Sequence, residues 1–343
     1  MAGMTLEQEI KDKARELGFD AVGITDASPL GREHAEHFQQ WLAHGCAGRM
    51  DYMTRNLDKR LDPAKLRKGA QSMIVVALNY KPQEVGAKSG SQHESSRSEI
   101  SNLKSNMPVP ASGSQSEISN LKSQIGRIAA YAQYEDYHAF IKSLLRELAT
   151  FLSVRAGRPD RYRICVDSAP LAEKAFATRA GLGFIGRNHL LIHPRLGPQV
   201  LLGELVTTLP LHPDEPGAGT CGDCDRCTKA CPTGALQADG FLDARRCISY
   251  QTQYEPPDAC QGDTHGWLFG CDECLLACPH QQSAPPRSNT HFKHHPDRAT
   301  LNLRDLLTMS AETFATQFAD SPLKRPGLAV LQARARESLK VRG

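Results

Sequence analysis

Four cysteines follow one another at Cys221, Cys224, Cys227 and Cys231, and Pro232 closes the run. This is the bacterial iron–sulfur spacing, in which three thiolates hold one cluster and the fourth reaches across to a second. A second cluster needs cysteines of its own. Cys271, Cys274 and Cys278, closed by Pro279, supply them, with Cys247 and Cys260 lying between the runs. The pairing rule assigns Cys221, Cys224, Cys227 and Cys278 to one 4Fe–4S cluster, and Cys231, Cys271 and Cys274 to the other. Spacing leaves the last ligand open between Cys247 and Cys260. Disulfide scaffolds are short and secreted, and zinc sites rarely crowd four cysteines before a proline, so neither explains the pattern. Cys46 and Cys165 stand apart from both runs and read as buried thiols that behave as small hydrophobes.

The chain has 343 residues, of which 40% are hydrophobic, enough for more than one domain and a full core. No run approaches the ~20 apolar residues of a membrane span, and the start carries no apolar signal region. A cytoplasmic location without membrane attachment is expected, and a reducing compartment suits thiolate-held clusters. A formal charge of +3 does not announce a nucleic-acid partner. Local clusters must carry that argument, and two exist: Arg55, Lys59, Arg60, Lys65, Arg67 and Lys68, and then Arg155, Arg158, Arg161 and Arg163.

Read in order, the chain predicts an α/β (α+β) fold. Thr5 caps a first helix with Gln8 reaching back, and Gly18 stops it. Phe19 to Thr25 reads as a strand. The continuous apolar run Ser72 to Tyr80 reads as a central strand covered on both faces, so helices are expected on either side of a sheet. Residues 84–125 are serine-rich, and the octapeptide starting at Ser98 recurs at Ser116. Such a stretch buries too little to offset its ordering entropy and reads as a disordered insertion. A helix follows through Phe140, Leu144, Leu148 and Leu152, then a strand ending at Asp167. The proline- and glycine-rich segment from Pro210 to Gly219 links to the cysteine region. The expected division is residues 1–215, 216–285 and a helical tail, 286–343.

Asp167, at the end of a strand and the start of a helix, stands where open α/β folds place ligand chemistry, a position that an aspartate serving only as a helix cap also takes, and more often. Ser168 is expected to cap that helix, Pro170 to sit in its first turn, and Gly181 to end it. The following Gly181, Gly183 and Gly186 would let backbone approach a ligand closely. They follow a helix instead of opening one after a strand, so they are not a dinucleotide fingerprint. Two clusters in series move one electron at a time, and a large domain placed before them points to delivery onto an internal cofactor.

At this point the residues resemble the epoxyqueuosine reductase family. The resemblance rests on Val166 to Lys174, Ala180 to Asn188, Cys231 to Leu236 and Arg246 to Tyr250, with Leu17 to Phe19, Arg60 to Pro63 and Asp136 to His138 as further pieces. It covers roughly residues 6–83 and 126–335. It implies a nitroreductase-like domain that binds base-off cobalamin, followed by a two-cluster ferredoxin-like domain. The implied reaction opens the epoxide of the modified wobble base in tRNAs for Asp, Asn, His and Tyr, with loss of water.

The family's proton donor falls on Asp167, its cobalamin contacts near Arg60, Asp167, Gly186, Ser249 and Asp272, and its last cluster ligand on Cys247 rather than Cys260. Burial against an apolar loop would raise the Asp167 pKa toward the working pH, as a general acid requires. The implied partners are a tRNA anticodon stem-loop and an external electron donor, with the chain a monomer. Lys174 departs from a position that is often arginine. Two other classes compete: a non-catalytic electron-transfer module, and a corrinoid reductase of another substrate class.

Overall fold

The computed structural model describes residues 4–83, 124–157, 162–256 and 263–342. Helix α1 (Leu6–Glu16) starts as expected, with Thr5 Oγ1 accepting from the Gln8 amide at 3.3 Å. The Gln8 side chain donates to Asp12 at 2.8 Å rather than reaching back, so only half of the capping box forms. Strand β1 (Ala21–Asp26), helices α2 (Arg32–Ala43) and α3 (Leu57–Leu61) and strand β2 (Ser72–Asn79) follow. Next come β3 (Ile125–Ile128), the long α4 (Tyr137–Arg155), β4 (Arg163–Cys165), α5 (Glu173–Arg179), the short β5 (Phe184–Ile185) and β6 (Leu191–Ile192), and β7 (Val200–Thr207).

The main sheet runs β1-β2-β7-β4, and every pairing in it is antiparallel. Strand β2 is central and buried along its whole length, because its alternate side chains enter two different cores. Ile74, Val76 and Leu78 meet Ile10 and Ala14 of α1 and Ile141, Leu145 and Leu148 of α4. Val75 and Ala77 meet Ala177 and Ala180 at the end of α5. Two-sided cover is therefore found as the apolar run predicts. Gly203 on β7 allows α4 to come close: a Cβ there would lie 2.6 Å from Ile141 Cγ2.

The expected cap of α5 is not found. The helix begins at Glu173 after Ala172, and Ser168 instead bonds back to Val166 O through its amide at 2.5 Å. Ala169 precedes Pro170, which disfavours helical backbone there and delays the helix. Its end is as expected: Gly181, at φ 83°, donates to Thr178 O at 3.1 Å and Leu182 to Ala177 O at 3.0 Å, a Schellman close. At all three glycines a side chain would meet protein, beginning with Gly181, where a Cβ would lie 2.8 Å from Glu215 O. A Cβ on Gly183 would lie 2.1 Å from Ile192 O, and one on Gly186 2.4 Å from Ile192 Cδ1. They let β5 and β6 close against each other.

The second half contains α6 (Arg226–Ala230), α7 (Ile248–Tyr254), β8 (Trp267–Phe269), α8 (Glu273–Leu276), α9 (Pro279–Gln282), β9 (Thr300–Asn302), α10 (Leu303–Thr308), α11 (Ala311–Gln317) and α12 (Gly327–Arg342). A second sheet, β8-β3-β9, takes one strand from each of the three segments expected from sequence. Residues 286–343 are thus no loose tail. Leu306, Phe314, Phe318, Leu323 and Leu331 share a core with Ile128, Leu268 and Phe269. The expected insertion also ends early, since Gln124 accepts from the Leu303 amide at 2.8 Å and Ile125 opens β3. Residues 84–123 and Cys260 lie outside the described residues.

Candidate active site

The two cysteine runs each contain a short helix, α6 with Cys227 and α8 with Cys274, and the two helices pack against each other. Cys221, Cys224, Cys227 and Cys278 line one cavity together with Asn188, Ile192, Pro279 and His280. The Cys221 sulfur accepts from the Arg187 amide at 3.4 Å. The Cys231 sulfur accepts from the Ala235 amide at 3.3 Å, and against its burial such amide bonds lower the thiol's pKa and favour thiolate. Cys247 and Cys271 gather around Cys274: burial pushes the Cys274 thiol well up, and the charges of Cys247, Cys271, Asp272 and Cys231 add to it. Burial likewise pushes Cys271 up to about 12. Buried thiols that oppose one another's ionisation fit a cationic metal core that takes them as thiolates. Among the described residues, no three His, Cys, Asp or Glu side chains converge on a single metal ion. Four thiols spread round a cavity suit a multi-iron cluster better than zinc. Cys46 and Cys165 are buried elsewhere, 3% and 0% exposed.

Asp167 adopts a left-handed backbone, φ 53°. Its Oδ2 accepts from the Tyr137 hydroxyl at 2.7 Å and pairs with His138 Nε2 at 3.2 Å. Both neighbours stand on the first turn of α4, whose cap Asp136 accepts from the His138 amide at 3.0 Å and faces His138 Nδ1 at 2.8 Å. The His138 imidazole therefore lies between two carboxylates. Its own burial pushes its pKa down, but hydrogen bonds to Asp136 and Asp167 outweigh that and raise it. At Asp167 burial pushes upward, and is outweighed by the bonds from His138 and Tyr137 and the charges of His138 and Arg325. The carboxyl ends below its usual range, contrary to the elevation expected from sequence. Its side chain remains 52% exposed, open to the cleft.

The cleft draws on the whole chain. Arg60 is buried, its Nη2 reaching Tyr52 O at 3.5 Å while its Nε has no partner among the described residues. The Tyr52 and Tyr254 hydroxyls meet at 3.1 Å. Tyr131 feels the charges of Arg325, Asp167, Asp272 and Tyr254, and its hydroxyl donates to Gln253 Oε1 at 3.2 Å. Gln253 in turn donates to Ser249 Oγ at 3.0 Å. Asp272 is buried and accepts from the Ala130 amide at 2.7 Å. Lys174 donates to His189 O at 2.5 Å and feels Glu173, Asp167 and Cys274, which sets the second thiol group beside the Asp167 cleft. Tyr131 and Gln253 thus link Asp167 and Asp272 to Ser249, and Arg60 feels the charge of Asp167. Gly186 differs: its N–H donates to Leu190 O and its carbonyl accepts from His189, both at 2.9 Å.

Three contributors were missed in sequence. Arg325 approaches His138 Nε2 at 3.5 Å from a segment read as tail. Tyr137 was seen only within a motif. Glu204 is an acid inside the otherwise apolar strand β7, a signal that could have been read. The basic clusters dissolve in part. Arg60 is buried, Lys65 pairs with Asp58 at 3.4 Å, and Arg155 pairs with Glu9. Arg158 and Arg161 lie outside the described residues.

An antiparallel α+β domain whose cleft opens beside two cysteine groups defines an iron–sulfur oxidoreductase. A family model for a 4Fe-4S double cluster binding domain matches residues 220–281. A second, described as "Epoxyqueuosine reductase QueG, DUF1730", matches residues 60–168. The epoxyqueuosine reductase of Cyclobacterium marinum is 36% identical over 322 residues, 93% of this chain and 92% of its own length. A crystal structure of epoxyqueuosine reductase with an epoxyqueuosine-modified tRNA-Tyr stem loop superimposes with a TM-score of 0.77 at 26% identity, covering 97% of this chain and 80% of that one. The Bacillus subtilis enzyme, solved with an aspartate-bearing catalytic loop swung out of the active site, gives 0.77 at 25% identity, covering 97% and 81%. The chain belongs to the epoxyqueuosine reductase family. No helix among the described residues is long and apolar enough to cross a membrane.

Proposed function

We propose that this chain reduces epoxyqueuosine to queuosine at the wobble position of tRNAs for Asp, Asn, His and Tyr. The observation that carries the reading is the Asp167 carboxylate, open to the cleft and held by Tyr137 and His138. Cys221, Cys224, Cys227 and Cys278 would hold one 4Fe–4S cluster and Cys231, Cys247, Cys271 and Cys274 the other, supplying electrons one at a time from an external donor. The cleft between Arg60, Asp167, Gly186, Ser249 and Asp272 would hold a base-off cobalamin, which supplies the reducing centre when bound. Arg60 fits such a polar, amide-rich group, because its buried Nε has no partner among the described residues.

The reaction converts an epoxide, two electrons and two protons into an alkene and water. The departing oxygen is a poor leaving group while unprotonated, so a positioned acid lowers the barrier. Asp167 relays to that oxygen the proton held by His138, whose imidazolium Asp136 stabilises from the far side. Tyr137 fixes the carboxylate in line. The target base must be unstacked and turned out of the anticodon loop to reach Asp167. Exposed Arg55, Lys59 and Lys68 are left to meet phosphates. The chain is proposed to act as a cytoplasmic monomer. Anaerobic protein carrying its clusters and loaded with cobalamin should convert an epoxide-bearing anticodon stem-loop into the alkene. Failure with both cofactors bound would remove the reading.

A further inference from the structure

Glu204 is 0% exposed at the middle of β7, and neither oxygen of its carboxylate has a hydrogen-bond partner among the described residues. Strand β7 directs Leu202, Glu204 and Val206 to the α5 face of the sheet, opposite Gly203, which meets α4. Glu173, the first residue of α5, lies against Glu204 there, and its Oε1 accepts from the Asp167 amide at 2.5 Å. Two acids in contact inside a protein, with no cation between them, cannot both be charged at moderate cost. A single proton placed between them satisfies one of the two orphaned Glu204 oxygens and leaves one Glu173 oxygen free for the Asp167 amide.

The other titratable groups around the pair are Asp167, Cys165 on β4, and Lys174 beside Glu173, with Arg60 on the cleft side. Asp167 repels a second charge. Lys174 partly offsets one, not two. Burial is the largest cause, and it pushes both Glu173 and Glu204 upward.

Asp167 needs such an anchor. A non-glycine residue at φ 53° is held against its backbone preference. Its carboxylate is fixed by α4, but its backbone is held by the Glu173 bond on one side and the Ser168 amide turn on the other. We propose that Glu204 and Glu173 form a carboxyl–carboxylate pair that shares one proton and, through the Glu173–Asp167 amide bond, holds Asp167 in its left-handed, productive conformation. Both are positioning residues. The role of Asp167 in turnover rests on the function proposed above, whereas the shared proton does not.

The test has two arms. In infrared difference spectra of the cluster-bearing protein at neutral pH, parent minus Glu204→Gln should show a protonated carboxyl stretch. In turnover of the epoxide stem-loop, Glu173→Ala should lower kcat about 100-fold, the cost of a misplaced catalytic group, with KM little changed. Glu173→Gln keeps an acceptor for the Asp167 amide and should recover most of that loss, which a merely structural role for the negative charge would not allow. The pairing is overturned by the absence of the carboxyl band, and the positioning role by Glu173→Ala turning over like the parent or Glu173→Gln failing like Glu173→Ala. If the parent itself leaves the stem-loop unchanged, the functional reading has failed and the infrared arm alone decides the pair.

Discussion

Tyr137 and Asp167 stand thirty positions apart, and a 2.7 Å hydrogen bond joins the Tyr137 hydroxyl to Asp167 Oδ2. The same oxygen meets His138, so one helix turn supplies both groups that hold the carboxylate. Tyr137→Phe removes one of the two donors. Turnover should fall about tenfold, a modest share of what a well-placed acid contributes. The Asp167 titration should move upward, because burial then meets less opposition. The pH dependence of kcat/KM measures both.

His138 has its pKa raised by Asp136 and Asp167 against the opposing effect of burial. A histidine whose folded pKa is raised contributes stability that is fully present below its ordinary value of about 6.5 and is lost as pH rises through the folded value. The stability difference between parent and His138→Gln should therefore be largest on the acid side of that window and shrink above it. Chemical denaturation across the range reads this directly.

Cys247 and Cys260 separate the two ways of completing the second cluster. Cys247→Ala should reduce bound iron from about eight to about four atoms per chain, whereas Cys260→Ala should leave it at about eight. Iron and sulfide analysis of anaerobically prepared protein distinguishes them. Loss of iron in the Cys260 variant alone would reverse the assignment.

The close approach of α4 to the main sheet depends on Gly203, where a Cβ would meet Ile141 Cγ2 at 2.6 Å and Leu145 Cδ1 at 3.1 Å. Gly203→Val should destabilise the fold by about 1–3 kcal/mol through overpacking. Gly31→Val is a control, since nothing lies within 4 Å of a Cβ there. Urea midpoints of the two variants should differ accordingly.

Cluster chemistry was legible in sequence because ligand spacing is local: residues three positions apart stay close together wherever the chain goes. The apolar run Met73 to Leu78 likewise announced two-sided burial. It did not announce antiparallel pairing, because a strand covered on both faces reads the same in either kind of sheet. The missing cap at Ser168 has a local cause, Pro170, whose restriction on the backbone of Ala169 outweighs its tolerance in a first helical turn. What stayed hidden is long-range. Nothing in the sequence near Asp167 says that Tyr137, His138 and Arg325 converge on it, or that their donors and charges outweigh its burial. Glu204 was exceptional in being conspicuous, a lone acid within Val200–Thr207, yet its partner Glu173 emerges only when β7 and α5 are brought face to face.

The most direct measurement of the account is product formation by Asp167→Asn under conditions in which the parent converts the epoxide stem-loop. Asparagine preserves shape and hydrogen-bonding capacity but cannot give up a proton. Iron content and cobalamin affinity should match the parent, while alkene formation falls by at least about 100-fold, the lower range for a general acid. Turnover equal to the parent's, with both cofactors bound, would contradict the assignment of Asp167 as the proton donor.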